Sequence, residues 1–349
     1  MRRLRWVRGV VVLGLAGALL GVVPNGASAV AARARCRETA FVTNGGSGTV
    51  STIDAQNRTK DPADITVGPQ PAGVAITPDG RTVFVGHRIS GTMSRIDVRT
   101  RTKNPYDITV TANPEYLVSG FAVTPDGNTV LVNVIAGPVA GAPGAFSMID
   151  VKTGAKTPRD IVVGSQPFAV AVTPDGRTAF VTNAGSGTVS TIDVKTRTKN
   201  ANDIDVGSFP FGVAFTPDGK TAFVANYGSG TVSVIDVKTR TKNRSDIAVG
   251  PEPGSVVLTP DGKTAFVTHL NGTVSTFDVK TRIASPTAIA LDTTPAALVI
   301  TADGKTAFVA NFGSPNSVST IDVRSRTKNP SDIAVGSSPF GVALTPCRR

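Results

Sequence analysis

The chain has 349 residues, 40% of them apolar, with 36 Lys and Arg against 25 Asp and Glu and a formal charge of +11, a length that fits one large domain or two ordinary ones. Two cysteines, two histidines and 17% charged residues exclude a thiolate zinc cluster, a disulfide-dense miniprotein and a charge-rich disordered chain. With 36 glycines and 24 prolines, the composition points instead to many short strands and turns.

The N-terminus reads as an export signal. Met1 to Arg8 is basic, Gly9 to Val23 is an apolar run of 15 residues, and Ala27-Ser28-Ala29 places small residues at cleavage spacing, so residues 1–29 are expected to be removed. The apolar run is shorter than the roughly 20 residues a membrane helix needs. Without Arg2, Arg3, Arg5 and Arg8, 32 basic residues face 25 acidic ones, a net of +7. The expectation is an exported chain, extracellular, periplasmic or attached to the cell surface, with no transmembrane segment after cleavage. A short lead-in, residues 30–38, follows the signal.

From there the chain repeats itself. Thr-Pro-Asp-Gly begins at Thr77, Thr124, Thr173, Thr216 and Thr259, degenerates to Thr301-Ala302-Asp303-Gly304 and ends as Thr345-Pro346-Cys347, at spacings of 47, 49, 43, 43, 42 and 44. Each unit reads as four short strands. One example is Gly212-Val213-Ala214-Phe215, then Ala222-Phe223-Val224-Ala225-Asn226, then Thr231-Val232-Ser233-Val234-Ile235-Asp236, then Asp246-Ile247-Ala248-Val249-Gly250. Alternation, β-branched residues and Gly, Asn or Pro-Asp-Gly at each break favour strands. Four strands per repeat of about 43 residues, seven times, predict an all-β, seven-bladed β-propeller over residues 39–346, with a tail at 347–349.

The phase of the repeat also predicts how the ring closes. The chain enters on a second strand at Ala40-Phe41-Val42-Thr43-Asn44 and leaves on a first strand at Phe340-Gly341-Val342-Ala343-Leu344. One blade is therefore expected to take its first strand from the C-terminus and three strands from the N-terminus. Cys36 and Cys347 fall on the same turn position at that seam. In an oxidising compartment they are expected to form a disulfide.

Phe41-Val42-Thr43-Asn44, Phe180-Val181-Thr182-Asn183 and Phe266-Val267-Thr268-His269, with the Gly-Ser-Gly-Thr-Val-Ser and Ile-Asp-Val segments of the repeat, resemble the YVTN family of β-propellers. Phe stands for the family's Tyr in most blades, and His87 and His269 for its Asn in two. The resemblance implies an extracytoplasmic seven-bladed propeller of the surface-layer and exported bacterial kind. It implies no common reaction and no catalytic residue.

Loop lengths locate the break in symmetry. From the Asp of Ile-Asp-Val to the start of the fourth strand the spacing is 10 in all seven units, taking Ala288 as the sixth unit's Asp equivalent. Both large insertions belong to the third blade, at residues 111–119 and 134–144, and both map to the face carrying the fourth-to-first and second-to-third connections. Binding residues are often carried on loops of a rigid scaffold, so Asn113, Glu115, Tyr116 and Asn133 are the ligand-binding candidates. A neutral insertion on a tolerant rim is the competing reading.

Chemistry is otherwise sparse. His87 and His269 sit at second-strand ends as polar replacements of Asn, too far apart to share a metal. The repeated aspartates suit turns, whose backbone N–H groups they accept. No metal, cofactor or catalytic residue is expected. The opposite face holds 20 of the 32 basic residues with 14 aspartates, which is mildly positive. Anionic cell-envelope polymers, a protein partner or nucleic acid are candidate partners for it, with salt-sensitive binding. The expectation is a non-catalytic binding or cell-envelope scaffold. The alternatives are a lactonase-like hydrolase or lyase at the central opening, and polyanion binding by the basic face; fold alone does not choose among them.

Overall fold

The computed structural model describes residues 37–347 apart from 114, 137–140 and 292. The expected signal and Cys36 lie outside these residues.

A single repeat shows why the sequence folds as it does. Thr178-Ala179-Phe180-Val181-Thr182-Asn183 alternates small or polar with larger apolar side chains and forms the second strand of its blade, Thr178–Asn183. The preceding turn is built by Thr173-Pro174-Asp175-Gly176. Thr173 Oγ1 donates to Asp175 Oδ1 at 2.5 Å, Arg177 N donates to the same oxygen at 3.0 Å, and Gly176 N closes on Thr173 O at 2.8 Å. Gly176 sits at φ 74°, where a side chain would be strained. The turn returns the chain from the first strand, Pro167–Val172, and the third strand, Thr188–Asp193, pairs on the far side with Phe180 opposite Thr191. The outer strand is split: Thr198–Lys199 and Ile204–Asp205 both pair with the third strand, and residues 200–203 bulge between them.

This unit recurs as seven antiparallel sheets, and every named element among the described residues is a strand. The first strand of each blade packs against the first strands of both neighbours, so the seven surround the axis. The molecule is a seven-bladed β-propeller. Its core lies between blades: Phe180 with Ala169 and Val189 of the fourth blade packs with Val213, Ala222 and Val224 of the fifth. Two blades depart from the split outer strand. The third has a continuous Ile161–Ser165, and in both the third and the sixth a single bridge, Ile149 to Lys156 or Phe277 to Ala284, replaces the first segment.

The closing blade is shared between the termini, as the repeat phase predicts. The strand Thr39–Asn44 lies between Thr49–Asp54 and the C-terminal Pro339–Leu344, with Phe41 opposite Ala343. Thr345 N donates to Thr39 O at 2.9 Å and Thr39 N to Thr345 Oγ1 at 2.8 Å. Glu38, nearly buried, accepts Ala302 N on both carboxylate oxygens at 3.1 Å. Ala302 stands where the six other repeats carry Pro, which has no N–H to give. Burial raises the Glu38 carboxyl to about 7, the Ala302 N–H pulls it down, and Asp303 adds to the rise. Cys347 is not a free thiol.

Candidate functional site

One face of the ring carries the second-to-third hairpins and the fourth-to-first connections, and backbone bonds tie the two together. In five blades the residue before the first-strand Pro adopts a left-handed conformation: Gln70, Gln166, Phe209, Glu252 and Ser338, at φ 47–56°. Each points its carbonyl at the hairpin, accepting from Arg88, Ala184, Tyr227, Leu270 and Gly45 N at 2.8–3.1 Å. Five non-glycine residues in this region carry strain. The connection therefore has a fixed path, and these side chains are held on the rim of this loop face.

The four candidates of the third blade fall in two places. Asn113 Oδ1 accepts Glu115 N at 3.0 Å, and Tyr116 N donates to Asn113 O at 3.1 Å, so the three form one turn. Asn113 and Glu115 are exposed, while Tyr116 is half-buried against the core between the second and third blades. Asn133 is different. It lies inside the strand Thr129–Ile135, fully buried, and neither its Oδ1 nor its Nδ2 has a partner. In register it matches Thr43 and Thr182, whose hydroxyls donate to Ala72 O and Phe211 O of the next blade at 2.7 Å.

Both histidines are buried at second-strand ends. His269 Nδ1 faces Pro251 O at 2.7 Å and Nε2 faces Ser275 Oγ at 2.6 Å. The neutral ring with its proton on Nδ1 satisfies both. His87 has the same neighbours, Pro69 O at 3.2 Å and Ser94 Oγ at 2.7 Å, but Ser94 donates to Asp107 Oδ1 at 2.7 Å. Ala288 stands at the equivalent of Asp107 in the sixth blade. Burial holds both imidazoles below the usual histidine pKa; Asp107 opposes it at His87, and the Pro251 carbonyl, then Glu252, at His269. Both rings are thus buried and occupied by bonds within their own blades.

The structure also brings together residues that the repeat conceals. Phe168 and Phe211, second residues of the first strands of the fourth and fifth blades, stack at 4.1 Å and 8°. Tyr227, just past the second strand of the fifth blade, stacks on Phe211 at 4.8 Å and 17°. Phe209 beside them is 51% exposed. Burial first and the Glu252 carboxylate second push the Tyr227 phenol up, which places that acid within electrostatic reach of the stack. Around the axis Ala72, Phe168, Ala184, Ala296 and Phe340 share one cluster with Phe211, Leu270 and Phe312. The signal was present in the sequence: Phe replaces Ala or Gly after Pro167, Pro210 and Pro339, and Tyr227 follows Asn226 where other blades have Gly45 or Ala184.

On the opposite, turn face, seven of the 20 basic residues pair with an aspartate, one of them Arg101 with Asp61. Lys60, Lys103, Lys156, Lys199, Lys242 and Lys328 each meet the Asp four residues on at 2.6–2.9 Å. The aspartates of Ile-Asp-Val accept backbone N–H groups inside the turns, for example Thr196 N to Asp193 at 2.7 Å. Among the described residues no group of three His, Cys, Asp or Glu is placed to hold a metal ion. No helix among them is long and apolar enough to cross a membrane.

The choice-of-anchor I domain is the family whose sequence profile matches, over residues 116–244. No curated protein matches the chain significantly. Among solved structures, a functionally unknown protein from Desulfotomaculum acetoxidans is similar at 16% identity and a TM-score of 0.76, over 89% of this chain and 99% of that one. Hydrazine synthase from Kuenenia stuttgartiensis is similar at 22% identity and 0.69, over 81% and 92%. A dihydro-heme d1 dehydrogenase in complex with DHE is similar at 18% and 0.63, over 84% of this chain and 64% of that one. At these identities the likeness is one of fold.

Proposed function

We propose that the chain is an exported, non-catalytic binding scaffold of the cell envelope, which meets its ligand on the loop face. The observation that carries this reading is the aromatic stack Phe168–Phe211–Tyr227, with exposed Phe209 and the Glu252 carboxylate at its edge. A propeller enzyme needs converging acids, bases or nucleophiles near the axis, and both histidines are instead bonded within their own blades. Stacked rings with an adjacent carboxylate suit sugar faces or cationic groups. The exposed turn of Asn113 and Glu115 extends the proposed surface over the third blade.

The choice-of-anchor match supports export or surface attachment, as does the signal-like N-terminus. The repeat motifs keep the YVTN resemblance as the working family, and Cys36 with Cys347 as the proposed disulfide.

The test is co-sedimentation of the mature chain with purified cell-wall sacculi. Wild type is expected to sediment, and Phe209→Ala with Tyr227→Ala to lose about tenfold in affinity. A turn-face change, Lys238→Ala, is expected to leave binding intact. Sedimentation indifferent to the loop-face variants, or turnover of a lactone panel abolished by His269→Asn, overturns the reading.

A further inference from the structure

Tyr227 stands between two copies of one rim position. On one side Phe209, in the connection that enters its own blade, takes Tyr227 N on its carbonyl at 2.9 Å. On the other, Glu252 holds the equivalent place in the connection to the sixth blade, and its carbonyl takes Leu270 N at 3.1 Å. The left-handed backbone of both, at φ 50° and 56°, fixes where the two side chains start. A methyl group on Gly228 would come within 3.0 Å of Phe209 Cδ2, so the exposed Phe209 ring lies against that bare backbone, one residue from Tyr227.

In the stack, Phe168 at one end is buried and Tyr227 at the other is half-exposed, so the end open to a ligand is Tyr227. Glu252 is half-exposed as well, and among the described residues its carboxylate has no ion-pair or hydrogen-bond partner. The groups that feel its charge are Tyr227 and His269, and the His269 ring is already held by Pro251 O and Ser275. The hydroxyls beside Phe209 are spent on each other: Ser229 Oγ accepts Ser208 N at 2.7 Å and lies 3.0 Å from Ser208 Oγ. The open polar groups of this corner are therefore one carboxylate and the Tyr227 hydroxyl, set beside aromatic rings. A sugar carries hydroxyls around its whole edge, and a primary ammonium carries three N–H donors; either would leave polar groups unpaired here. A quaternary ammonium has no N–H to satisfy and is drawn to both ring faces and a carboxylate.

We propose that this corner of the loop face binds a quaternary ammonium group, with its methyl groups against the Phe209 and Tyr227 rings and Glu252 as the counter-ion. The proposal rests on the reading of the loop face as the binding surface and narrows its ligand to a methylated cation.

The experiment is isothermal titration of the mature chain with choline, its neutral isostere 3,3-dimethylbutan-1-ol, and ethanolamine. Saturable binding of choline is expected, with the other two at least about tenfold weaker. Glu252→Gln and Tyr227→Ala should each weaken choline by at least about tenfold, and Gln70→Ser should leave it unchanged. Each change installs a residue that another blade already carries at that position, as at Gln166, Ala184 and Ser338, so the fold is kept, which circular dichroism checks. Absence of saturable choline binding up to about 10 mM overturns the proposal. So does the isostere or ethanolamine binding as tightly as choline, or a Glu252→Gln variant that binds choline like wild type. If the proposal fails in any of these ways while Phe209→Ala with Tyr227→Ala still loses sacculus binding, the scaffold reading stands and its ligand is not a quaternary ammonium.

Discussion

The second-strand end is a position where one residue settles a local hydrogen-bond problem. Asn44, Asn183, Asn226 and Asn311 donate Nδ2 to a Ser hydroxyl of the third strand at 2.8–2.9 Å, and in all four Oδ1 is buried without a partner. The longer imidazole of His269 reaches the same serine and the Pro251 carbonyl as well. His269→Asn therefore gives up one bond but keeps the pattern of the other blades, and should cost under about 1 kcal/mol. His269→Ala leaves Pro251 O and Ser275 without their partner around a new void, and should cost about 2–3 kcal/mol. Urea unfolding of the two variants checks the order; equal losses would show that the ring contributes volume alone.

The outer strand shows what an element gains from its neighbour. Arg240 and Arg197 share the same backbone strain, at φ 58° each, but only Arg240 holds an acceptor on the next blade. Replacing either by Gly relieves the same left-handed conformation and adds the same chain entropy. The difference between Arg240→Gly and Arg197→Gly isolates that bond, and the Arg240 variant should be the less stable by about 0.5–1 kcal/mol. Paired thermal melts measure it. Elements of this kind mark the limit of reading the chain alone. The turns, strands and shared blade were legible because Thr-Pro-Asp-Gly and Ile-Asp-Val repeat in register. The bond from Arg240 to Asn200 was not, because its partners lie one repeat apart. The stacked rings escaped for a related reason: first and second strands are both buried on two sides, so alternation does not separate Phe211 at the axis from Phe180 between blades. Asn133 looked like a rim residue because its place relative to the Asn ladder shifts by one, with Val134 in the ladder.

For the whole molecule, the seam is where a ring fails first, since its blade is joined by hydrogen bonds rather than by continuous chain. The proposed Cys36–Cys347 link spans it; a thiol assay on unfolded, unreduced mature protein should find no reactive thiol, and two would remove the staple. Glu38 sits at the same seam and makes closure sensitive to pH. Its carboxyl is raised from 4.5 to about 7 in the folded chain, so its contribution is complete below about pH 4.5 and is lost as pH rises through 7. The histidines act in the opposite sense: their lowered values mean stability present above about 6.5 and lost on acidification. The turn aspartates, such as Asp97 and Asp236, are held below the usual carboxylate range by backbone N–H groups of Thr100 and Thr239 and respond only at lower pH. Between pH 5 and 8 two opposed terms therefore overlap in wild type, and Glu38→Gln removes one of them. The stability of wild type relative to Glu38→Gln should fall by about 2–3 kcal/mol from pH 5 to pH 8. Urea unfolding at the two values measures that gap. A gap that stays constant would mean that Glu38 is ionised throughout, held by the Ala302 N–H, and that the seam closes on a charge rather than on a neutral acid.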